Sequence, residues 1–192
     1  MELYKKFVTE KYDESGVLTE FKIHPPKSFN FGFDIVDEIA KENPSKKALV
    51  WVNEKGEEHI FTFSDIMKKS NQTVNYLKSL GIKKGDKVMC ILKRHYQFWF
   101  ISIALHKLGA IMVPATNQLT KKDLLYRFEA GDIKAIFCTA EGAINASVTE
   151  AAAEHTTEII KISCNGELSG WNNYDAEFTA FSEEFARPSG ED

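Results

Sequence analysis

Four short apolar runs recur at an almost even step through the second half of the chain. "KVMCIL" begins near Lys87, "AIMVPA" near Ala110, "KAIFCT" near Lys134 and "EIIKIS" near Glu158, about 23 residues apart. Nearly every position in each run is apolar. A strand solvated on one face alternates, whereas a strand covered on both faces does not. The intervening stretches, 96–108, 121–130 and 141–155, carry apolar residues at helical spacing. Strands alternating with helices in this way specify βαβ units. Their right-handed crossovers lay helices on both faces of a mainly parallel sheet. The units are too unlike one another in sequence to form a solenoid.

Ahead of these units, "FDIVDEIAKENP" places Phe33, Val36 and Ala40 at helical spacing and stops at Pro44. "KALVWV" and "HIFTF", joined through Gly56, predict a β-hairpin. Ser64 is expected to cap a helix over 65–80 whose inner stripe is Ile66, Ser70, Thr73, Leu77 and Leu80, with Gly81 at its left-handed end. The fold class is therefore α/β: a parallel sheet flanked by helices, preceded by a helix and a hairpin. Residues 1–32 read as a weakly ordered arm, extended by Pro25 and Pro26. Residues 33–187 read as the folded unit, ending in a loop and a short helix near 175–185, and 188–192 as a linker to a missing remainder. The 96–108 helix is apolar nearly all round, which predicts burial on more than one side and makes His106 a hydrogen-bonded structural histidine. "TKKD" at 120–123 has the form of a capping box.

A hydrophobic content of 43% over 192 residues is enough for a sizeable core. The net charge of −4 argues against a nucleic-acid partner, because phosphate is held by Lys and Arg. No apolar run is long enough to span a membrane, and the polar N-terminus lacks the form of a signal peptide. Cys90, Cys138 and Cys164 form no CxxC pair, so zinc is not indicated. Cys90 and Cys138 sit in apolar runs as small hydrophobes, which suits a reducing, cytoplasmic compartment.

Motifs for chemistry are sparse. There is no GxxxxGK[ST], no GxGxxG, no HExxH and no nucleophile elbow. Lys93 and Arg94 follow the first predicted parallel strand. Ligands of open α/β sheets bind outside the carboxyl ends of strands. These two cations can hold a phosphate or carboxylate there, or cap the sheet and pair with nearby acids. Thr116, Asn117 and Gln118 occupy the same place after the next strand, which Pro114 terminates. They either line a cleft or solvate a turn.

Taken together, the motifs resemble the AMP-forming acyl-activating synthetases, the superfamily of acyl-CoA synthetases, luciferases and nonribosomal adenylation domains. "FTFSDIMKKSNQTVNYLKSLGIKKGDKV" is similar to the family's first core motif, and "HKLGAIMVPATNQLTKKDLLYRFEAGDIKAIFC" to its second. "ILKRHYQFWF", with Arg94 and Trp99 at matching positions, "LLYRFEAGDIKAI" and "GWNNYDAEF" resemble segments of the medium-chain acyl-CoA synthetases. The resemblance implies the N-terminal part of an adenylate-forming domain. In the parent enzyme it implies ATP, Mg²⁺ and CoA, a carboxylic acid substrate, and two-step ligation through acyl-AMP. Lys93 and Arg94 become candidate CoA or phosphate contacts, and Thr116, Asn117 and Gln118 candidate cleft lining.

The family's "TSGTTGxPK" phosphate loop does not occur in these 192 residues. No catalytic or metal residue is therefore carried over, and none of the cofactors is expected to bind this chain tightly alone. In acetyl-type members arginines follow the strand equivalent to 134–138; here "TAEGAINAS" has none. The fragment is expected to be inactive by itself, to need the missing C-terminal portion, and to dimerise or aggregate through exposed apolar surface. The alternative is a stand-alone or complementing α/β binding module without catalytic activity.

Overall fold

The computed structural model describes residues 3–189. The first elements are a 3-10 turn, Leu3–Lys6, and an antiparallel hairpin, β1 (Val8–Tyr12) with β2 (Leu18–Ile23). Residues 1–32 are thus not the weakly ordered arm expected. The turn between the strands is organised by Asp13, whose Oδ1 accepts the N–H groups of Ser15 and Val17, with Gly16 at φ 81°. The expected helix from Phe33 opens with one widened π turn, Gly32–Asp37, and continues as α1 (Glu38–Glu42). A second antiparallel hairpin follows, β3 (Lys47–Val52) with β4 (Glu58–Thr62), turning at Gly56 as expected.

Helix α2 (Phe63–Ser79) is capped by Thr62 rather than Ser64. Thr62 Oγ1 accepts the Asp65 N–H while Asp65 Oδ2 accepts the Thr62 N–H, a reciprocal capping box. The spacing Thr62–Asp65 satisfies that geometry, and Ser64 already lies inside the helix. The expected stripe points inward: Ile66, Ser70, Thr73 and Leu77 are buried and Leu80 is half-buried.

The remaining chain alternates as β5 (Lys87–Ile91), α3 (Gln97–Leu108), β6 (Ile111–Pro114), α4 (Lys121–Gly131), β7 (Ile133–Thr139), α5 (Ile144–Glu154), β8 (Ile160–Cys164), the short β9 (Asn172–Asn173) and α6 (Tyr174–Glu177). The strands form one parallel sheet in the order β6-β5-β7-β8-β9. Side chains alternate across it. Val88, Cys90, Ala135, Phe137 and Ile162 meet α2, α3 and α6 on one face. Met89, Ile91, Ile136 and Cys138 meet α4 and α5 on the other. Burying one such side chain stabilises the fold by about 1.5–3 kcal/mol before chain entropy is counted. The run in β6 is an exception to burial on both faces. It is the edge strand, and Ile111 is 49% exposed. Pro114 suits an edge because the donor it lacks faces no further strand.

Thr120 and Asp123 close the predicted capping box at α4. The expected helix near 175–185 is shorter: α6 passes into a 3-10 turn, Phe178–Ala180. Beyond it the chain lies extended across α2, held by side-chain amides. Gln72 Nε2 donates to the carbonyls of Thr179 and Phe181, Asn75 Nδ2 to those of Ser182 and Glu184, and Asn71 Nδ2 to that of Glu183. Arg187 then pairs with Asp34, Nη1 to Oδ1 at 2.7 Å, and lies over the Phe33 ring. Of the expected linker 188–192, residues 190–192 lie outside the described residues.

His106 is exposed on α3 and is not the buried histidine expected. The buried polar residue is its neighbour Lys107, at 2% exposure. Its Nζ donates to Ser70 Oγ (3.0 Å) and Asn71 Oδ1 (2.7 Å). It also lies 2.7 Å from Asp37 Oδ1 in an ion pair too poorly aligned to count as a hydrogen bond. Gly32 leaves room for its stem, since a Cβ there would stand 2.7 Å from Lys107 Cγ.

Candidate functional site

From β5 the chain moves to one side, to β6, and then crosses back to β7 on the other side. The crevice outside the carboxyl ends of β5 and β7 is therefore the topological switch point of the sheet, where open α/β sheets place ligands. Lys93, Arg94 and His95 follow β5 there, and Thr139, Glu141 and Gly142 end or follow β7.

His95 Nε2 is 2.8 Å from Thr139 Oγ1, bridging the two strands. The same hydroxyl accepts the Glu141 N–H at 3.1 Å. Burial holds the His95 imidazole below its usual range, with Glu141 opposing that shift and Lys93 adding to it. Lys93 Nζ lies 3.4 Å from Glu141 Oε2, and Asn165 Nδ2 donates to Glu141 Oε1 at 2.5 Å. Asn165 follows β8, stands at φ 60° and also donates its N–H to Asp175 Oδ2 at 2.7 Å. Gln97 Nε2 donates to Asp175 Oδ1 at 2.7 Å. One hydrogen-bonded system thus crosses the ends of three adjacent strands.

Of the sequence-predicted residues, Lys93 and Arg94 stand together at this edge and both are exposed. The Arg94 carbonyl is fixed by the Trp51 Nε1–H, which ties the loop to β3. Thr116, Asn117 and Gln118 form the exposed loop after β6, with the Gln118 N–H on Thr116 Oγ1. They adjoin the same end of the sheet, since the Ala115 N–H donates to the Cys90 carbonyl. Sequence reading missed His95, Thr139, Glu141, Gln97 and Asp175. Their pairings span 44 residues for His95–Thr139 and 78 for Gln97–Asp175, so no local pattern signals them. Among the described residues no group of three His, Cys, Asp or Glu side chains converges to hold a metal.

The AMP-binding enzyme family matches residues 36–192. The chain belongs to that family. It is 35% identical over 167 residues to the acyl-coenzyme A synthetase ACSM4, mitochondrial, of Mus musculus, covering 83% of this chain and 28% of the relative. It is 31% identical over 162 residues to human ACSM3, mitochondrial, covering 80% and 27%. An acyl-CoA synthetase of Brucella canis superposes with a TM-score of 0.74 at 23% identity, covering 86% of this chain and 30% of that one, which shows the shared fold. This AMP-binding chain spans less than a third of the length of these relatives. Its architecture matches the N-terminal part of an adenylate-forming domain, as expected.

Proposed function

We propose that the chain is part of an acyl-CoA synthetase, a ligase that activates a carboxylic, fatty acid with ATP to acyl-AMP and transfers the acyl group to CoA. The observation that carries this is 35% identity, over 83% of the chain, to a relative named acyl-coenzyme A synthetase. The switch-point edge supports a share in ligand binding. In this reading Lys93 and Arg94 contact a phosphate of CoA, and Thr116, Asn117 and Gln118 line the cleft beside them.

ATP and Mg²⁺ belong to the whole enzyme. The described residues offer neither a phosphate loop nor a metal-binding group of carboxylates, so no step through these cofactors is assigned to them. The chain by itself is then inactive, and the rest of the enzyme is its natural partner. Three buried free thiols favour a reducing compartment. The relatives are named mitochondrial, so they lend no support to the cytoplasmic location expected. Among the described residues no helix is long and apolar enough to cross a membrane.

The test is ATP–pyrophosphate exchange with a panel of carboxylic acids. The purified chain gives none, and addition of the remaining portion of the enzyme restores it. Exchange by the chain alone overturns the inactivity. Failure of every acid after complementation overturns the ligase reading.

A further inference from the structure

Beside the switch point, a cavity of about 320 Å³ opens between β4, α2, α3 and the α6 turn. That volume lies at the small-ligand end of natural pockets, which run from about 300 to 1,000 Å³. Its walls include the rings of Phe61, Tyr96 and Phe100, which pack on one another with centroids 5.1–5.8 Å apart. Three polar side chains enter it: Lys69, Gln97 and Asp175.

The orientation of Gln97 decides what the cavity can take. The residue is 2% exposed, and its Nε2 donates to Asp175 Oδ1. A carboxylate can only accept, so the amide cannot flip and Oε1 is left as an acceptor. That oxygen is buried and has no hydrogen-bond partner among the described residues. Leaving a buried amide oxygen unpaired costs free energy that a ligand donor would recover. Asp175 can accept further donors, because each of its oxygens has taken only one.

Lys69 supplies the opposite charge. Its Nζ lies 5.7 Å from the Phe100 centroid and 5.8 Å from that of Phe178, and it forms no ion pair among the described residues. A ligand that is only a cation meets its ammonium. A ligand that is only an anion meets Asp175 and the Gln97 oxygen. A metal ion finds one carboxylate and one amide oxygen beside a fixed positive charge. A molecule with a positive donor at one end, a carboxylate at the other and an apolar body suits all three features.

We propose that this cavity binds a zwitterionic α-amino acid with an apolar side chain. The ammonium sits on Gln97 Oε1 and Asp175, the carboxylate on Lys69, and the side chain against the Phe61, Tyr96 and Phe100 rings. Cation–π attraction to those rings adds to the hold on the ammonium. The site is an accessory one, and it stands independently of the proposed ligation because its test reads binding alone.

Calorimetric titration of the full chain with three probes tests it: L-phenylalanine, 3-phenylpropionate, which lacks the ammonium, and phenethylamine, which lacks the carboxylate. L-Phenylalanine binds saturably, and each single-charge analogue binds at least tenfold more weakly. Lys69→Met, at a half-buried helix position, lowers the affinity for L-phenylalanine at least tenfold and does not weaken phenethylamine. Gln97→Leu weakens L-phenylalanine and phenethylamine together, with circular dichroism confirming that both variants fold. Equal binding of the three probes, no binding of L-phenylalanine up to its solubility, or an unchanged affinity in Lys69→Met overturns the proposal.

Discussion

Lys107 is a cation that the fold has removed from water. Burial lowers its pKa and raises that of Asp37, and in each case the partner's charge only partly opposes the shift. Desolvation therefore outweighs the attraction within the pair, as is common for buried ion pairs. The signs follow. The Asp37 pKa is raised above its ordinary 3.8, so its contribution favours folding below that value and is lost as pH rises through the raised one. The Lys107 pKa is lowered from 10.5, so its contribution is present above that value and is lost as pH falls through the lowered one. Lys107→Met removes the only cation facing Asp37 at ion-pair distance among the described residues. We expect it to destabilise the chain by about 3–5 kcal/mol at neutral pH. The deficit shrinks as the solution is acidified, because Asp37 then protonates. Adding Asp37→Leu recovers most of the loss. Urea denaturation of the three proteins at two pH values checks this.

Lys107 was also legible in principle. Phe100, Ala104 and Lys107 fall on one helical face, at i, i+4 and i+7. His106 draws attention by its chemistry but points a quarter-turn away, toward water.

Elements declare themselves to the degree that their stability is local. β5, β7 and β8 were legible because covered strands read as unbroken apolar runs. The α4 cap was legible because Thr120 and Asp123 stand three residues apart, and Thr62–Asp65 obeys the same rule one turn earlier than Ser64 suggested. The first hairpin was overlooked because both strands are largely solvated, and only alternation and the Asp13–Gly16 turn mark it. The candidate site was legible only as a place, the carboxyl ends of the strands, because its hydrogen bonds join residues far apart in sequence. The cap makes a direct comparison. Thr62→Ala costs about 0.5–2 kcal/mol, whereas Ser64→Ala stays within about 0.5 kcal/mol of the parent. Thermal unfolding of the two variants separates them, and equal losses would return the cap to Ser64.

For the whole molecule, the outer face of the β3–β4 hairpin matters most. Val50 pairs with Ile60, and Val52 lies two residues along on the same face. The three are 52%, 45% and 57% exposed. Their opposite faces differ: Trp51, His59 and Phe61 pack toward Tyr96. An exposed β-branched stripe on a two-stranded sheet is a surface that associates with itself or with other apolar surface. We expect the chain to self-associate as concentration rises. Val50→Lys with Ile60→Glu suppresses this while leaving the unfolding temperature nearly unchanged. Light scattering across a dilution series reads the first effect. Scattering identical to the parent's would clear this stripe of the role.

The clasp of 179–184 by α2 has a separate consequence. Asn71, Gln72 and Asn75 grip that segment through its carbonyls and ignore its side chains. Such a grip is blind to residue identity and strict about count. Across descendants of this fold the segment is free to drift in composition, while a single insertion or deletion slides every carbonyl past its amide and loosens the clasp.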